Sequence, residues 1–131
     1  MREGRLMAPR QRKVAFHTLG CPKNFVDSEA LASVLRGAGI RCVKQPHRAD
    51  VLIVNTCGFL DDAKVESVEI LLEAVHWKQA KPGRQVLAMG CLTQSDRREI
   101  AESIPELDGV FGIGEWTRIL ECIGASPVAT N

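Results

Sequence analysis

Cys21, Cys57 and Cys91 each stand where an apolar, β-prone run stops and a helical pattern begins. The three stretches are Thr18-Leu19-Gly20-Cys21-Pro22-Lys23-Asn24, Val51-Leu52-Ile53-Val54-Asn55-Thr56-Cys57-Gly58 and Val86-Leu87-Ala88-Met89-Gly90-Cys91. In a parallel α/β sheet, ligands bind outside the carboxyl ends of the strands. Three thiols delivered to that edge form a candidate metal site, because thiolates are soft ligands suited to iron–sulfur clusters, zinc and copper(I). Three protein ligands leave a coordination position open, which suits reaction better than pure structure. Most zinc and cluster motifs use local CxxC pairs, and this chain has none. Spacing alone therefore leaves two readings open, a metal site or three buried small hydrophobes.

The residues around the thiols are the candidates to surround a metal. Asn55 and Thr56 precede Cys57 and could hydrogen-bond cluster sulfurs or cap local backbone. Gly20, Gly58 and Gly90 flank the cysteines, and glycine permits close backbone approach. Asn24 reads as an N-cap with Asp27 three positions on, and it lies near the first cysteine. Cys42, in a strand pattern, and Cys122, beside Ile119 and Ile123, read as packing residues. His17, near the mouth of the first strand, reads as a structural histidine, and His47 and His76 carry no motif. GxGxxG, GxxxxGK[ST] and GxSxG are absent, so nucleotide and serine-hydrolase readings lack their signatures.

These residues need elements to position them. Lys13 to Thr18 reads as a first strand, followed by a helix with Leu31, Val34, Leu35 and Ala38 on one face. Ile40 to Lys44 reads as a short edge strand, since Pro46 follows. Val51 to Asn55 is a continuous apolar run, as in the centre of a parallel sheet. Asp61 and Asp62 supply the N-cap and first-turn acid of a long helix with a stripe of Val65, Val68, Leu72 and Val75, ending near Lys81-Pro82-Gly83. Gln85 to Met89 is a fourth strand. Thr93 or Ser95 caps a helix bearing Ile100 and Ile104 that Pro105 ends. Val110 to Ile113 is a fifth strand, and Trp116, Ile119, Leu120 and Ile123 give a last amphipathic helix closed by Gly124. The prediction is an α/β fold: an open, mainly parallel five-stranded sheet flanked by helices, flavodoxin-like in outline. In the order 2-1-3-4-5 the strands bearing the three cysteines are neighbours, and their thiols would lie along roughly 10 Å of one edge.

At 131 residues the chain is one domain with room for a real core. Residues 1–12 read as a disordered basic arm, 13–124 as the domain, and 125–131 as a polar tail or the start of a linker. The net charge of +1 combines +4 over residues 1–13 with about −3 elsewhere. The domain therefore lacks the electrostatic footprint of a nucleic-acid binder. No run reaches the length of a membrane span, and no secretory signal is evident. Five cysteines in a chain of this size point to reduced, cytoplasmic thiols.

The blocks T-L-G-C-P-K-N-x-V-D-S-E, V-N-T-C-G-F-L-x-x-A-K-x-E-S and M-G-C-L-x-Q, in that order, resemble the N-terminal domain of the radical-SAM methylthiotransferases. The likeness covers residue 13 to about 123. Cys21-Pro22-Lys23-Asn24 resembles the branch that modifies an aspartate of ribosomal protein S-twelve. The tRNA-modifying relatives typically show Gln-Met-Asn after that first cysteine. Asn55-Thr56-Cys57-Gly58-Phe59 followed by Ala63-Lys64 points the same way. The resemblance implies that Cys21, Cys57 and Cys91 hold an auxiliary 4Fe–4S cluster whose open iron carries the sulfur to be inserted. It implies further domains outside this chain: a radical-SAM barrel with a second 4Fe–4S cluster and S-adenosylmethionine, and a C-terminal domain that engages substrate. The chain has no CxxxCxxC, so alone it is not expected to run the radical step. The alternatives are the corresponding domain of a tRNA-modifying methylthiotransferase, or a flavodoxin-like binding module without a cluster. Phe25, Phe59 and Leu92, just after the three cysteines, are the apolar residues expected at the face turned toward the barrel.

Overall fold

In the computed structural model, residues 12–20, 22–58 and 61–124 are described. The expected arm and tail lie outside them, apart from Arg12, as do Cys21 and Phe59. The strands are β1 (Lys13–Thr18), β2 (Arg41–Cys42), β3 (Val51–Thr56), β4 (Gln85–Gly90) and β5 (Gly109–Val110). The helices are α1 (Pro22–Gly37), α2 (Asp61–Gln79), α3 (Cys91–Ser95), α4 (Arg97–Ser103) and α5 (Trp116–Ile123), with a 3₁₀ turn at Pro46–Arg48. The sheet order is β2-β1-β3-β4-β5, and every pairing is parallel. The predicted α/β class is observed, and the order around the second strand, which the sequence left open, is the flavodoxin-like 2-1-3-4-5.

The strand sequences alternate between two cores. Ala15, Leu52, Val54, Val86 and Ala88 face α2 and α4, where Leu71, Ala74, Ile100 and Ile104 meet them. Val14, Val51, Ile53, Leu87 and Met89 face α1 and α5, packing with Leu31, Leu35, Ile119 and Leu120. All six residues of β3 are buried, as a central strand covered on both faces requires. β2 is the predicted edge strand, shortened to two residues, although Val43 still donates its N–H to Val14. Arg12 is held at the other end of the sheet, donating from its guanidinium to Gln85.

Several local expectations are corrected. α1 starts at Pro22, a favoured first position because proline has no N–H to satisfy. Asn24 is therefore inside the first turn and is not the N-cap. Asp61 and Asp62 both sit in the first turn of α2. The inner face of α2 is Ser67, Leu71, Ala74 and Val75, while Val65 is 58% and Leu72 48% exposed. Of the expected stripe, Val75 is buried and Val68 packs against the core, whereas Val65 and Leu72 point outward because Ser67 and Leu71 take the inner face. Thr93 and Ser95 lie within α3, which begins directly at Cys91, so neither caps the following helix. β5 stops at Val110, since the N–H groups of Gly112 and Ile113 are taken by side chains and not by a strand. α5 and its left-handed Gly124 cap are as predicted.

Candidate metal centre

β1, β3 and β4 run parallel and in register, so Leu19, Cys57 and Cys91 leave the sheet at the same edge. Cys57 and Cys91 are free, half-buried thiols. Cys21 lies outside the described residues. Asn24, 1% exposed, stands between the strand ends. Its Nδ2 donates to the carbonyl of Leu19 at 2.6 Å and of Thr56 at 3.1 Å. Both amide hydrogens are thereby used, which turns Oδ1 toward Cys91, whose Sγ is 3.9 Å away. One carboxamide thus ties the ends of β1 and β3 and faces the thiol that follows β4.

Asn55 and Thr56 use their side chains on backbone and hydroxyl partners. Asn55 Nδ2 donates to the Asn24 carbonyl and to Ser28 Oγ, and Ser28 bonds Thr18 at 2.7 Å. Thr56 Oγ1 donates to the Met89 carbonyl and accepts from Thr93 N. Each side chain thereby fixes the backbone of a neighbouring element, α1 for Asn55 and β4 for Thr56. Ser67 does the same for Cys57: its hydroxyl accepts from Cys57 N at 2.9 Å and donates to Cys57 O at 2.8 Å. Sequence reasoning missed Ser67. The signal was a lone serine at helical spacing with Leu71, Ala74 and Val75.

The glycines beside the thiols let the loops interlock. Gly20 has φ +90°, and a Cβ there would stand 2.9 Å from both Cβ and Sγ of Cys57. Gly90 has φ +115°, and a Cβ would meet Asn55 Oδ1 and Thr56 O at 2.5 Å. Neither position tolerates a side chain, because the backbone is left-handed and the space is filled. At Gly58 the Cα of Leu92 is close enough to exclude a Cβ, which would lie 2.9 Å from it. Leu92 is 1% exposed, so it belongs to the core and not to an exposed face, whereas Phe25 is 56% exposed.

Cys42 and Cys122 pack against the apolar core on the α1 side. Burial raises both thiols above their ordinary pKa; Arg36 partly opposes this at Cys42, and Asp108 adds to it at Cys122. His17 lines a cavity of about 180 Å³ with Leu52, Glu73 and Trp77, away from the thiols.

Among the described residues no three His, Cys, Asp or Glu side chains converge. The described donors at this edge are thus two thiols with no carboxylate or imidazole between them. Thiolate donors of this kind suit a soft metal centre.

The family whose model matches residues 13–112 is described as Uncharacterized protein family UPF0004. A relative from Aquifex aeolicus, "Ribosomal protein uS12 methylthiotransferase RimO", is 45% identical over 112 residues, covering 86% of this chain and 25% of the relative. Proteins of the same name from Chlorobium luteolum and Koribacter versatilis are 46% and 42% identical over 82% and 88% of the chain, and 24% and 23% of their own lengths. The chain spans about a quarter of the length of these relatives. With the strand-end thiols, the interlocking glycines and this match in hand, the chain belongs to family UPF0004, and it is homologous to a domain-sized segment of the RimO methylthiotransferases.

Proposed function

We propose that this chain is the auxiliary-cluster domain of a methylthiotransferase, with Cys21, Cys57 and Cys91 as ligands of a 4Fe–4S cluster. The whole enzyme would insert a methylthio group into an aspartate of ribosomal protein S-twelve, in the cytoplasm. The observation that carries this is the interlock of the Cys57 and Cys91 loops at one sheet edge, through Gly20, Gly90 and Asn24.

When bound, the cluster supplies an iron not fully coordinated by cysteine, where sulfur can be held. This chain's residues do the holding. Ser67 fixes the backbone of Cys57, Asn24 fixes the spacing of the β1 and β3 ends, and Thr56 links β3 to the α3 turn. Asn24, Asn55, Thr56 and Gly90 form the shell that keeps these loops in place. The radical-SAM barrel, its S-adenosylmethionine and second cluster, and the substrate-binding domain would belong to the longer protein. Phe25 and the neighbouring exposed Val26 are the apolar groups offered to it. No described helix is long and apolar enough to cross a membrane, and direct nucleic-acid binding by this domain is not part of the proposal.

Anaerobic reconstitution of the chain with iron and sulfide tests the reading. A broad absorption at about 400 nm that requires all three cysteines is expected. A colourless protein with an unchanged melt would favour a binding module without a cluster. In the full-length protein, methylthiolation of S-twelve is expected; modification of tRNA instead would favour the tRNA branch.

A further inference from the structure

α3 is five residues long and opens with Cys91. So short a helix has no stability of its own, and something outside it must set the direction of the thiol. Besides the core packing of Leu92 and the bond from Thr93 N to Thr56, contacts that do so come from residues 111–115, a cysteine-free loop between β5 and α5. Thr93, fully buried, donates from Oγ1 to the Phe111 carbonyl at 2.6 Å. Gln94 Oε1 accepts from Ile113 N at 2.7 Å. Glu115 Oε1 accepts from Gly112 N at 2.8 Å and from Arg97 Nη2, at the start of α4, at 2.6 Å. Arg118 adds a second cation 3.5 Å from Glu115 Oε2.

The loop and the helix are fitted to each other. A Cβ on Gly112 would stand 2.2 Å from Gln94 Oε1 and 2.7 Å from Arg97 Nη2. Three consecutive residues are held by side chains: Phe111 O and Ile113 N by Thr93 and Gln94 of α3, and Gly112 N by Glu115 just before α5, to which Arg97 of α4 is paired. This grip also explains why β5 ends early. Gln94 is exposed and belongs to neither core cluster, so its bond to Ile113 bears on geometry more than on core packing.

We infer that Gln94, Arg97 and Glu115 are positioning residues that clamp the cysteine-free 111–115 loop onto α3 and so fix Cys91 against the other two cysteine loops. The inference rests on the proposed ligand role of Cys91, and its test is built so that the two can fail separately.

The test compares the 131-residue chain with Gln94→Ala, Glu115→Ala and the conservative Glu115→Gln. The first readout is pulse alkylation of the metal-free proteins with N-ethylmaleimide, followed at each cysteine by mass spectrometry. Both alanine variants should raise the Cys91 rate by about threefold or more, as a local opening does, with Cys57, Cys42 and Cys122 unchanged. Glu115→Gln keeps an acceptor for Gly112 N and should move Cys91 less. The second readout is iron per chain after anaerobic reconstitution, which should fall in both alanine variants while each still melts cooperatively. An unaltered Cys91 rate, a uniform rise at all five cysteines, or full iron retention in both alanine variants would overturn the clamp. If the unmodified chain takes no iron, the ligand reading falls, and the alkylation pattern alone decides the clamp.

Discussion

The side chain of Asn24 donates to the carbonyl of Thr56, 3.1 Å away, across 32 residues of sequence. The same nitrogen holds the Leu19 carbonyl at 2.6 Å. Asn24→Leu would leave both buried acceptors without partners, at about 1–3 kcal/mol for each buried group. A drop in unfolding free energy of this order by urea titration is predicted. Asn24→Asp should be at least as damaging, since a carboxylate cannot donate to either carbonyl.

Gly90 and Gly39 separate strain from crowding. Both have positive φ, but a Cβ at Gly39 meets nothing within 4 Å, whereas one at Gly90 meets Asn55 and Thr56 at 2.5 Å. Gly39→Ala should cost only the left-handed backbone penalty, about 1–2 kcal/mol. Gly90→Ala should cost clearly more and fail to give a stable fold in the same thermal melt. Equal losses at the two sites would contradict the interlocked loops.

The face of α2 gives a third prediction. Leu71 is fully buried and Leu72 is 48% exposed. Leu71→Ala should destabilise by about 2–5 kcal/mol, and Leu72→Ala should stay within about 0.5 kcal/mol. The reverse order in denaturant titrations would restore the stripe that periodicity alone suggests.

Much of the fold was legible because strand burial and helix breaks leave strong marks. The run Val51 to Val54 announced a central strand, and Gly124 announced the end of α5. The place of the second strand was not legible, because no helix separates it from the third and the short loop of residues 43–50 does not fix the crossover. What stayed hidden was set by polar tertiary contacts. Ser67 rotates α2 toward Cys57, Asn24 turns inward from the first turn of α1, and Glu115 and Gln94 end β5 early. Each residue type has an ordinary local use, as a surface serine, a cap or a solvated charge, so spacing gives no sign of the long-range role.

Glu115 supplies a pH-dependent prediction. The Gly112 N–H, then the charges of Arg97 and Arg118, hold its carboxyl below the ordinary glutamate range. A folded value below the unfolded one adds stability above the unfolded pKa of about 4.3, and that stability is lost as pH falls through the lowered folded value. The Tm difference between the unmodified chain and Glu115→Gln should therefore be constant near neutrality and shrink in acid. A difference that grows on acidification would contradict the clamp's electrostatics.

The most direct measurement is iron per chain after anaerobic reconstitution of the five single cysteine-to-alanine variants. About four iron per chain is predicted for the unmodified protein, for Cys42→Ala and for Cys122→Ala, with loss of the cluster in Cys21→Ala, Cys57→Ala and Cys91→Ala. Loss of iron on changing Cys42, with retention on changing Cys91, would contradict the assignment of the three strand-end cysteines as ligands.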